Sequence, residues 1–316
     1  NVEGRVLSVG RFIPNLFKVT KSDLTGRADL SCTPASSFTY MDEPFQVELE
    51  LVAKGLTDSG NYTTVNYRGA YAKLDILSEL ALVAINDVAG SDDVDYTARL
   101  GNVSLPSSSF AATWNNGILS LTGNMEFQRA ANAMPDGPFP EMQIAFKPTD
   151  NDGVTIDPAR IDILTSLGVL NVDLDVMPTE PGTAVYYLID EHEFRYGRLI
   201  VNNAFGPETE ALALTFQVEY FNGSEFVRNT LDNCSMIDVS DLSFVPLTYS
   251  DDLEPGDTVL TTPDTVTFFE GQTQGFEDVA IPSDSPLETS APGENASGGV
   301  DITLDLNAAG LSYLSF

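Results

Sequence analysis

Hydrophobic and polar residues alternate in the part of the chain that leads up to Cys234. Across residues 212–220 every second position is apolar, namely Leu212, Leu214, Phe216, Val218 and Tyr220. Because successive side chains of a strand point to opposite faces, this period of two predicts a strand with one buried face. Asn222-Gly223 follows and predicts a type I′ turn, since both central positions of that turn need φ > 0. Residues 225–228 are predicted to return antiparallel, which completes a β-hairpin within a sheet.

The same kind of pattern occurs in the first half of the chain. Residues 45–51 alternate apolar and polar side chains, which predicts a strand with one face in water. Asn116-Gly117 predicts a second hairpin, with its return strand at 119–127. Residues 70–76 are predicted to form a further strand. Short strands at about ten-residue spacing, with turns between them, are typical of β-sandwiches.

The chain length of 316 residues corresponds to about two domains of roughly 150 residues each. We predict an all-β protein with two immunoglobulin-like antiparallel β-sandwich domains in tandem. The predicted domains are 1–147 and 183–316, joined at 148–182 by an acidic connection in which Asp and Pro dominate. An edge hairpin of either domain is the alternative interpretation of this connection.

Motifs along nearly the whole chain occur in the same order as in a known family. Residues 196–234 carry a GRL strand, NNAFG, an alternating strand, EYFNG, an FV strand and a final N-T-x-D-x-C. This order resembles the C-terminal region of the MshQ proteins, which are associated with the mannose-sensitive haemagglutinin type IV pilus of Gram-negative bacteria. Collinear segments elsewhere agree with it: 10–17, 32, 38–41, 43–45, 66–74, 135–138, 150–154 and 300–306.

The resemblance implies a secreted or cell-surface protein of a Gram-negative bacterium that is associated with a pilus. It brings no biochemical activity with it. We therefore predict a non-enzymatic role in adhesion or surface assembly, with pilus or other cell-surface proteins as partners. The export signal would then precede Asn1 in a longer precursor. Because the family usually continues past this point, we expect the chain that ends at Phe316 to be truncated within its last domain.

The charge of the chain limits its partners. Forty-seven acidic residues against fifteen basic ones give a net charge of −32, and no lysine follows Lys147. Nucleic acid and anionic lipid are excluded as partners, because both need Lys and Arg to displace their counterions. Ca²⁺ or a basic partner is compatible with this charge. The simpler interpretation is that the dense carboxylates keep a secreted or salt-adapted protein solvated.

Two further features concern the compartment. No stretch approaches the roughly 18 consecutive apolar residues of a membrane-spanning helix, so no direct membrane span is predicted. The cysteines, Cys32 and Cys234, fit either one long-range disulfide or two buried thiols. The oxidising compartment that the resemblance implies favours the disulfide.

The segment 150–157, with the sequence DNDGVTID, is the strongest candidate for a metal site. Oxygen ligands at alternating positions beside a glycine are typical of calcium loops. We predict Ca²⁺ as the cofactor, with Asp150, Asn151, Asp152 and Asp157 as its ligands. The EF-hand spacing is incomplete, because no Glu occupies the twelfth position. A solvated acidic turn between the domains is the alternative interpretation.

No catalytic constellation is indicated. His192 is the only histidine, its neighbours in the chain are acidic, and no G-x-S-x-G nucleophile turn occurs. We interpret His192 as a surface residue and predict that the protein is not an enzyme. A carbohydrate-binding, lectin-like module is the alternative function, because exposed members of the aromatic set would suit a glycan receptor. That set comprises Trp114, eleven tyrosines and eighteen phenylalanines.

Overall fold

A computed structural model describes residues 13–27, 32, 36–57, 60–75, 80–86, 94–101, 111–131, 134–156, 171–173, 185–245, 253, 256–261, 264–273, 287–294, 298–299 and 301–315. Its strands in chain order are β1 (Leu16–Thr25), β2 (Phe38–Tyr40), β3 (Pro44–Thr57), β4 (Gly60–Thr63), β5 (Leu82–Asn86), β6 (Val94–Asp95), β7 (Leu100–Gly101), β8 (Ala111–Asn115), β9 (Ile118–Phe127), β10 (Phe139–Phe146), β11 (Asn171–Asp173), β12 (Val185–Arg195), β13 (Gly197–Val201), β14 (Leu212–Ala213), β15 (Phe216–Phe221), β16 (Phe226–Arg228), β17 (Met236–Asp238), β18 (Leu242–Val245), β19 (Leu260–Thr261), β20 (Thr265–Thr267), β21 (Glu288–Thr289) and β22 (Asp301–Leu304). Short 3-10 turns occur at Gly69–Tyr71, Thr97–Arg99, Val239–Asp241 and Ser312–Leu314.

The strands form two six-stranded sheets and several smaller ones. The first large sheet has the order β1-β3-β9-β7, with β4 on β3 and β8 on β9. The second has the order β11-β12-β10-β5-β6, with β2 beside β12. The smaller sheets are β13-β15-β16, β14-β21-β19, β17-β20 and β18-β22. The predicted all-β class, with antiparallel sheets of sandwich type, is confirmed.

The alternating patterns form strands as predicted. In β3 buried and partly exposed residues alternate from Pro44 onward, as expected for a strand with one face on the core. The Asn116-Gly117 hairpin joins β8 to β9, with Asn115 opposite Ile118. Asn116 has φ 50° and Gly117 has φ 80°, which is the pair of left-handed residues that a type I′ turn requires.

The hairpin predicted at Asn222-Gly223 exists, but its turn lies one residue further along the chain than predicted. Phe221 pairs with Phe226, and the backbone N–H of Asn222 donates to the carbonyl of Glu225 at 2.9 Å. Gly223, with φ 99°, therefore begins the turn with Ser224. Asn222 is not a central residue of the turn. Its side-chain oxygen instead accepts hydrogen bonds from the backbone N–H groups of Ser224 and Glu225. Asparagine commonly caps a turn in this way.

Two other predictions need correction. The alternating run 212–220 is not one strand, because Leu212–Ala213 pairs with β21 while β15 begins only at Phe216. The predicted strand 70–76 is also wrong where the structure describes it. Gly69–Tyr71 is a 3-10 turn there, and residues 72–75 are in no strand. The hydroxyl of Tyr67 accepts the backbone N–H groups of Lys73 and Leu74, each at 3.0 Å, which satisfies this backbone without a neighbouring strand.

The chain divides into two compact units whose segments interleave along the sequence. The first unit contains Asn1–Leu24, Gln46–Met125 and Glu141–Glu191, and the second contains Thr25–Phe45, Glu126–Pro140 and His192–Phe316. The predicted connection at 148–182 stays a prediction, since most of that segment lies outside the described residues. In the described part of the chain, no helix has both the length and the apolar character needed to span a membrane.

Each unit has its own apolar core. One buried cluster of the first unit comprises Val83, Ile85, Ala145 and Leu188. A buried cluster of the second unit comprises Phe38, Tyr40, Leu214, Phe216, Val218, Ile237, Leu242, Val266, Phe268, Leu287, Leu311, Tyr313 and Leu314. Phe38 and Tyr40 thus enter a core whose other members all follow residue 213 in the chain.

Candidate functional site

The second unit contains a buried network of charged and polar side chains that begins at Arg27. The chain turns at Gly26 and Arg27 directly after β1, and Arg27 has the left-handed φ of 50°. A Cβ at position 26 would lie 2.6 Å from the His192 ring and 2.7 Å from the Thr39 hydroxyl oxygen. Only glycine therefore lets the chain pass at this point, and this passage directs the Arg27 side chain into the core.

Arg27 is fully buried, and each of its guanidinium nitrogens has a partner. Nε donates to Glu43 Oε1 at 3.0 Å, Nη1 donates to Asp232 Oδ1 at 2.9 Å, and Nη2 donates to Ser235 Oγ at 2.7 Å. The guanidinium carbon also lies 5.1 Å from the ring centroids of both Phe38 and Tyr40. A buried arginine is tolerated when its charge is paired and its donors are satisfied, and both conditions hold here.

Asp232 is the acidic centre of the network. Besides Arg27, it accepts the Tyr40 hydroxyl at 2.9 Å and the Ser235 hydroxyl at 2.7 Å, and its Oδ1 accepts the Ser235 backbone N–H at 2.9 Å. Burial by itself raises the pKa of Asp232, but the Arg27 charge and the Ser235 hydrogen bonds outweigh it and hold the pKa below its ordinary value. Asp232 is therefore ionised in the folded protein.

Glu43 is the second buried carboxylate. Its Oε2 accepts the backbone N–H of Tyr40 at 2.9 Å, while its Oε1 accepts Arg27. Burial raises the pKa of Glu43 above its ordinary value, although the Arg27 charge and the Tyr40 N–H oppose that shift. Two carboxylates thus share one guanidinium, and all three groups are withdrawn from solvent.

The network continues through Asn229 to a second arginine. The Asn229 amide donates to the Tyr40 hydroxyl at 2.6 Å, and its oxygen accepts Arg195 Nη1 at 2.5 Å. Arg195 forms a two-pronged ion pair with Glu193, at 2.7 and 3.0 Å. Its guanidinium carbon lies 4.7 Å from the Phe38 ring centroid and 4.3 Å from that of Tyr220, which adds cation–π attraction on both sides.

Arg129 makes a comparable set of contacts with the last residues of the chain. Its guanidinium donates to the backbone carbonyls of Gly197, Tyr313 and Ser315, at 2.7 Å for Gly197 and 2.5 Å for Ser315. The guanidinium carbon lies 4.1 Å from the Tyr196 ring centroid. Gly197 and Tyr313 are buried, and Arg129 donates hydrogen bonds to their carbonyls in place of water, whereas its contact with Ser315 is exposed.

A disulfide closes the chain next to this network. Cys32 and Cys234 are bonded, with an S–S distance of 2.03 Å and a sequence separation of 202. The predicted disulfide is therefore confirmed, and the alternative of two buried thiols is wrong; both cysteines are partly exposed. Cys234 stands between Asp232 and Ser235, and its backbone N–H donates to Asp232 Oδ1 at 3.3 Å. The covalent bond and the ion pair thus hold the same two chain segments.

Asp150, Asn151 and Asp152, three of the four predicted calcium ligands, lie in a tight turn of the first unit. Asp150 is buried, and its Oδ1 accepts the backbone N–H groups of Asp152 and Val154, each at 2.9 Å. Its Oδ2 accepts the Tyr67 hydroxyl at 2.7 Å. The Asn151 amide donates to the Lys73 carbonyl at 3.2 Å. Asp150 therefore organises the turn through hydrogen bonds to protein donors.

Calcium binding at this turn stays a prediction. Asp157, the fourth predicted ligand, lies outside the described residues. Within the described ranges, the structure brings together no group of three or more His, Cys, Asp or Glu side chains that could hold a metal ion. The three predicted ligands that the structure describes, Asp150, Asn151 and Asp152, are consecutive in the chain.

The interpretation of His192 as a surface residue is wrong. Its neighbours Asp190 and Glu191 are exposed, but the alternation along β12 places His192 and Phe194 on the buried face. One ring nitrogen lies 2.8 Å from the Thr39 hydroxyl oxygen, and burial lowers the pKa of His192 from 6.5 to about 4. The imidazole is therefore neutral at physiological pH and belongs to the core.

The buried network has a weak trace in the sequence. The segments of the second unit contain no lysine, and their arginines are Arg27, Arg129, Arg195, Arg198 and Arg228. Each of them has an acidic, amide or backbone partner: Arg198 pairs with Glu219, and Arg228 donates to Gln272 at 2.5 Å. In so acidic a chain, a rare arginine among aromatic residues is a candidate for a structural role. The sequence alone does not show which acid it meets.

Two family models match the chain. Residues 1–167 match DUF6701, third domain, and residues 195–316 match DUF6701, fourth domain. The chain belongs to the DUF6701 family. No curated protein matches it. No solved structure matches it either. The fourth-domain region, 195–316, supplies Asp232 and Cys234, whereas Arg27, Cys32 and Glu43 come from the third-domain region.

Proposed function

We propose that this DUF6701 protein is a non-enzymatic, extracellular, pilus-associated protein of Gram-negative bacteria that acts in adhesion or surface assembly. The observation that carries the proposal is the order of motifs along the chain, above all in residues 196–234, which resembles that of the MshQ proteins. The Cys32–Cys234 disulfide supports it, because stable disulfides form mainly in oxidising compartments outside the cytoplasm.

The geometry of the network supports a structural rather than a chemical role. Arg27, Asp232 and Glu43 are buried and paired with one another, so none of them faces a position where a substrate could bind. Buried ion pairs that join distant chain segments would help an extracellular protein to stay folded under mechanical load. Pilus or other cell-surface proteins are the partners that we propose.

Surface labelling and adhesion assays test this proposal. An antibody against the protein is expected to label intact cells, and a strain that lacks the protein should adhere or assemble pili less well. Restoration by the wild-type chain, and by the surface variant Asp238→Asn, serves as the control. Confinement of the protein to the cytoplasmic fraction, or adhesion and piliation unchanged by its loss, would sink the proposal.

A lectin-like, carbohydrate-binding role is the second candidate, and exposed aromatic residues favour it. Phe205 is 90% exposed, Tyr71 64% and Tyr62 52%, although aromatic side chains of this size are usually buried. A glycan array with the purified chain tests this role. Reproducible binding to one class of sugar that is lost in Phe205→Ala or Tyr71→Ala would replace the first proposal with this one.

We also propose that Ca²⁺ binds the turn at 150–157, in keeping with the acidic sequence of that segment. Its ligands are hard oxygens, which suit Ca²⁺ better than a transition metal. Extracellular Ca²⁺ reaches about millimolar levels, which is enough to fill even a weak site.

A further inference from the structure

The core of the second unit is not closed by the fourth-domain region alone. Phe38 and Tyr40 are fully buried in the same apolar cluster as Phe216, Val218 and Phe268. The Tyr40 ring also stacks on Tyr313 at 5.7 Å between centroids. Without residues 38–40 this cluster would lose two of its aromatic members, and large-to-small losses of this kind leave cavities that destabilise a core.

The backbone of the same segment is paired with the end of β12. β2 runs parallel to the end of β12, with Phe38 opposite Glu193 and Tyr40 opposite Arg195. The pairing continues past β2, where the Met41 N–H donates to the Arg195 carbonyl at 2.8 Å. Removing the segment would therefore uncover a strand edge as well as apolar side chains.

The charge balance points the same way. Asp232 is fully buried, and Arg27 is the cationic partner that the structure gives it. Without Arg27, the carboxylate would be left in apolar surroundings with only neutral donors. An uncompensated buried charge is among the most destabilising defects known in proteins. Arg129 likewise supplies hydrogen-bond donors to the carbonyls of the buried residues Gly197 and Tyr313.

We propose that Thr25–Phe45 is a built-in complementing segment of the second unit, without which residues 195–316 do not form an autonomous folding unit. Arg129, in Glu126–Pro140, completes the same unit from a third part of the chain. The Cys32–Cys234 bond then retains a segment that the core already requires. This inference rests on the contacts within the second unit and is independent of the proposed function.

The competing arrangement is a strap, in which residues 195–316 are stable by themselves and Thr25–Phe45 is only docked on them. The two arrangements differ in cooperativity. A complementing segment opens together with the core strands, whereas a docked strap opens first and leaves those strands protected.

Native-state hydrogen exchange of the intact wild-type chain, measured in increasing sub-denaturing urea, separates the two arrangements. We expect backbone amides of residues 38–41 to exchange through the same opening as those of Phe216–Phe221 and Thr265–Thr267. Their protection factors, corrected for intrinsic exchange rates, should then be equal and should depend equally on urea. Protection factors at 38–41 that are tenfold or more lower, with full protection retained at β15 and β20, would overturn the proposal.

The full-length variant Arg27→Met provides the second measurement. Exchange at Phe216–Phe221 is expected to rise by about a hundredfold or more, although residue 27 precedes this strand by most of the chain. Arg68→Met is the matched control, because Arg68 makes an exposed hydrogen bond to Asn116 in the first unit. If Arg27→Met does not accumulate in folded form, the wild-type experiment still decides. An Arg27→Met protein with faster exchange confined to residues 38–41 supports the strap and refutes the proposal.

Discussion

The guanidinium Nη1 of Arg27 lies 2.9 Å from Oδ1 of Asp232, although the two residues are 205 positions apart in the chain. Both side chains are withdrawn from solvent. Such a pair adds little net stability compared with apolar residues of the same volume, because both ions had to be desolvated. Removing only one partner is costly, since the other charge stays buried. This asymmetry makes the pair a sensitive point of the fold.

Asp232→Asn is expected to lower the free energy of unfolding by about 3 kcal/mol, because it leaves the buried Arg27 guanidinium without the charged acceptor of its Nη1. Urea denaturation followed by circular dichroism measures the change. Asp238→Asn is the control: Asp238 is an exposed aspartate that accepts hydrogen bonds from Ser240, and its variant should unfold near the wild-type midpoint. Equal unfolding midpoints for the two variants would show that the buried Asp232 contributes no more to stability than the exposed Asp238.

His192 is expected to make stability depend on pH. The pKa of His192 is about 4 in the folded protein and 6.5 in the unfolded chain, so the unfolded chain binds the proton first as the pH falls. The free energy of unfolding therefore has its full contribution from neutral His192 above pH 6.5. It loses this contribution, about 3 kcal/mol in total, as the pH falls toward 4.

His192→Gln isolates this contribution, because glutamine can contact Thr39 but does not titrate. Urea unfolding at pH steps between 7 and about 4 is expected to give a flatter profile for this variant than for the wild type. The comparison removes the effect of Glu43 and Asp190, whose pKa values burial raises and whose contributions therefore have the opposite sign. Parallel profiles for the two proteins would rule out His192 as the source.

Loss of the Cys32–Cys234 bond is expected to destabilise the protein. Closing a loop of this length stabilises the folded state by up to roughly 5 kcal/mol through the entropy of the unfolded chain, although measured gains are often smaller. The double variant Cys32→Ser, Cys234→Ser tests this by thermal unfolding, with dithiothreitol-treated wild type as the comparison. The variant itself should not respond to dithiothreitol. Two free thiols in protein isolated from oxidising conditions, found by non-reducing mass spectrometry, would contradict the bond.

Calcium at the Asp150 turn is tested by thermal unfolding with Ca²⁺ and then with a chelator. When the free Ca²⁺ concentration is one hundred times the dissociation constant of the site, binding is expected to add about 2.7 kcal/mol to the free energy of unfolding. Asp152→Asn should abolish the gain while keeping the hydrogen bonds that Asp150 makes to Tyr67 and Val154. If Ca²⁺ shifts the midpoint no more than NaCl at matched ionic strength, the turn is held by hydrogen bonds alone.

The sequence by itself determined the parts of the fold that depend on near neighbours. The period of two along residues 45–51 and the Asn116-Gly117 turn are properties of a few consecutive residues, so strand and hairpin could be predicted there. The less exact predictions also concern local competition. At Asn222 a side-chain hydrogen bond displaced the turn by one residue, and at 70–76 the Tyr67 hydroxyl satisfied backbone that could otherwise have joined a sheet.

Only the tertiary structure decided which distant residues meet. Nothing in the spacing of Arg27 and Asp232, or of Cys32 and Cys234, reveals that they are neighbours, because proximity across some two hundred residues depends on the path of every strand between them. The same holds for His192, whose acidic neighbours in sequence suggest a surface while its strand turns it inward. Side-chain periodicity specifies that one face is buried, but the residues against which that face packs are chosen by the whole chain.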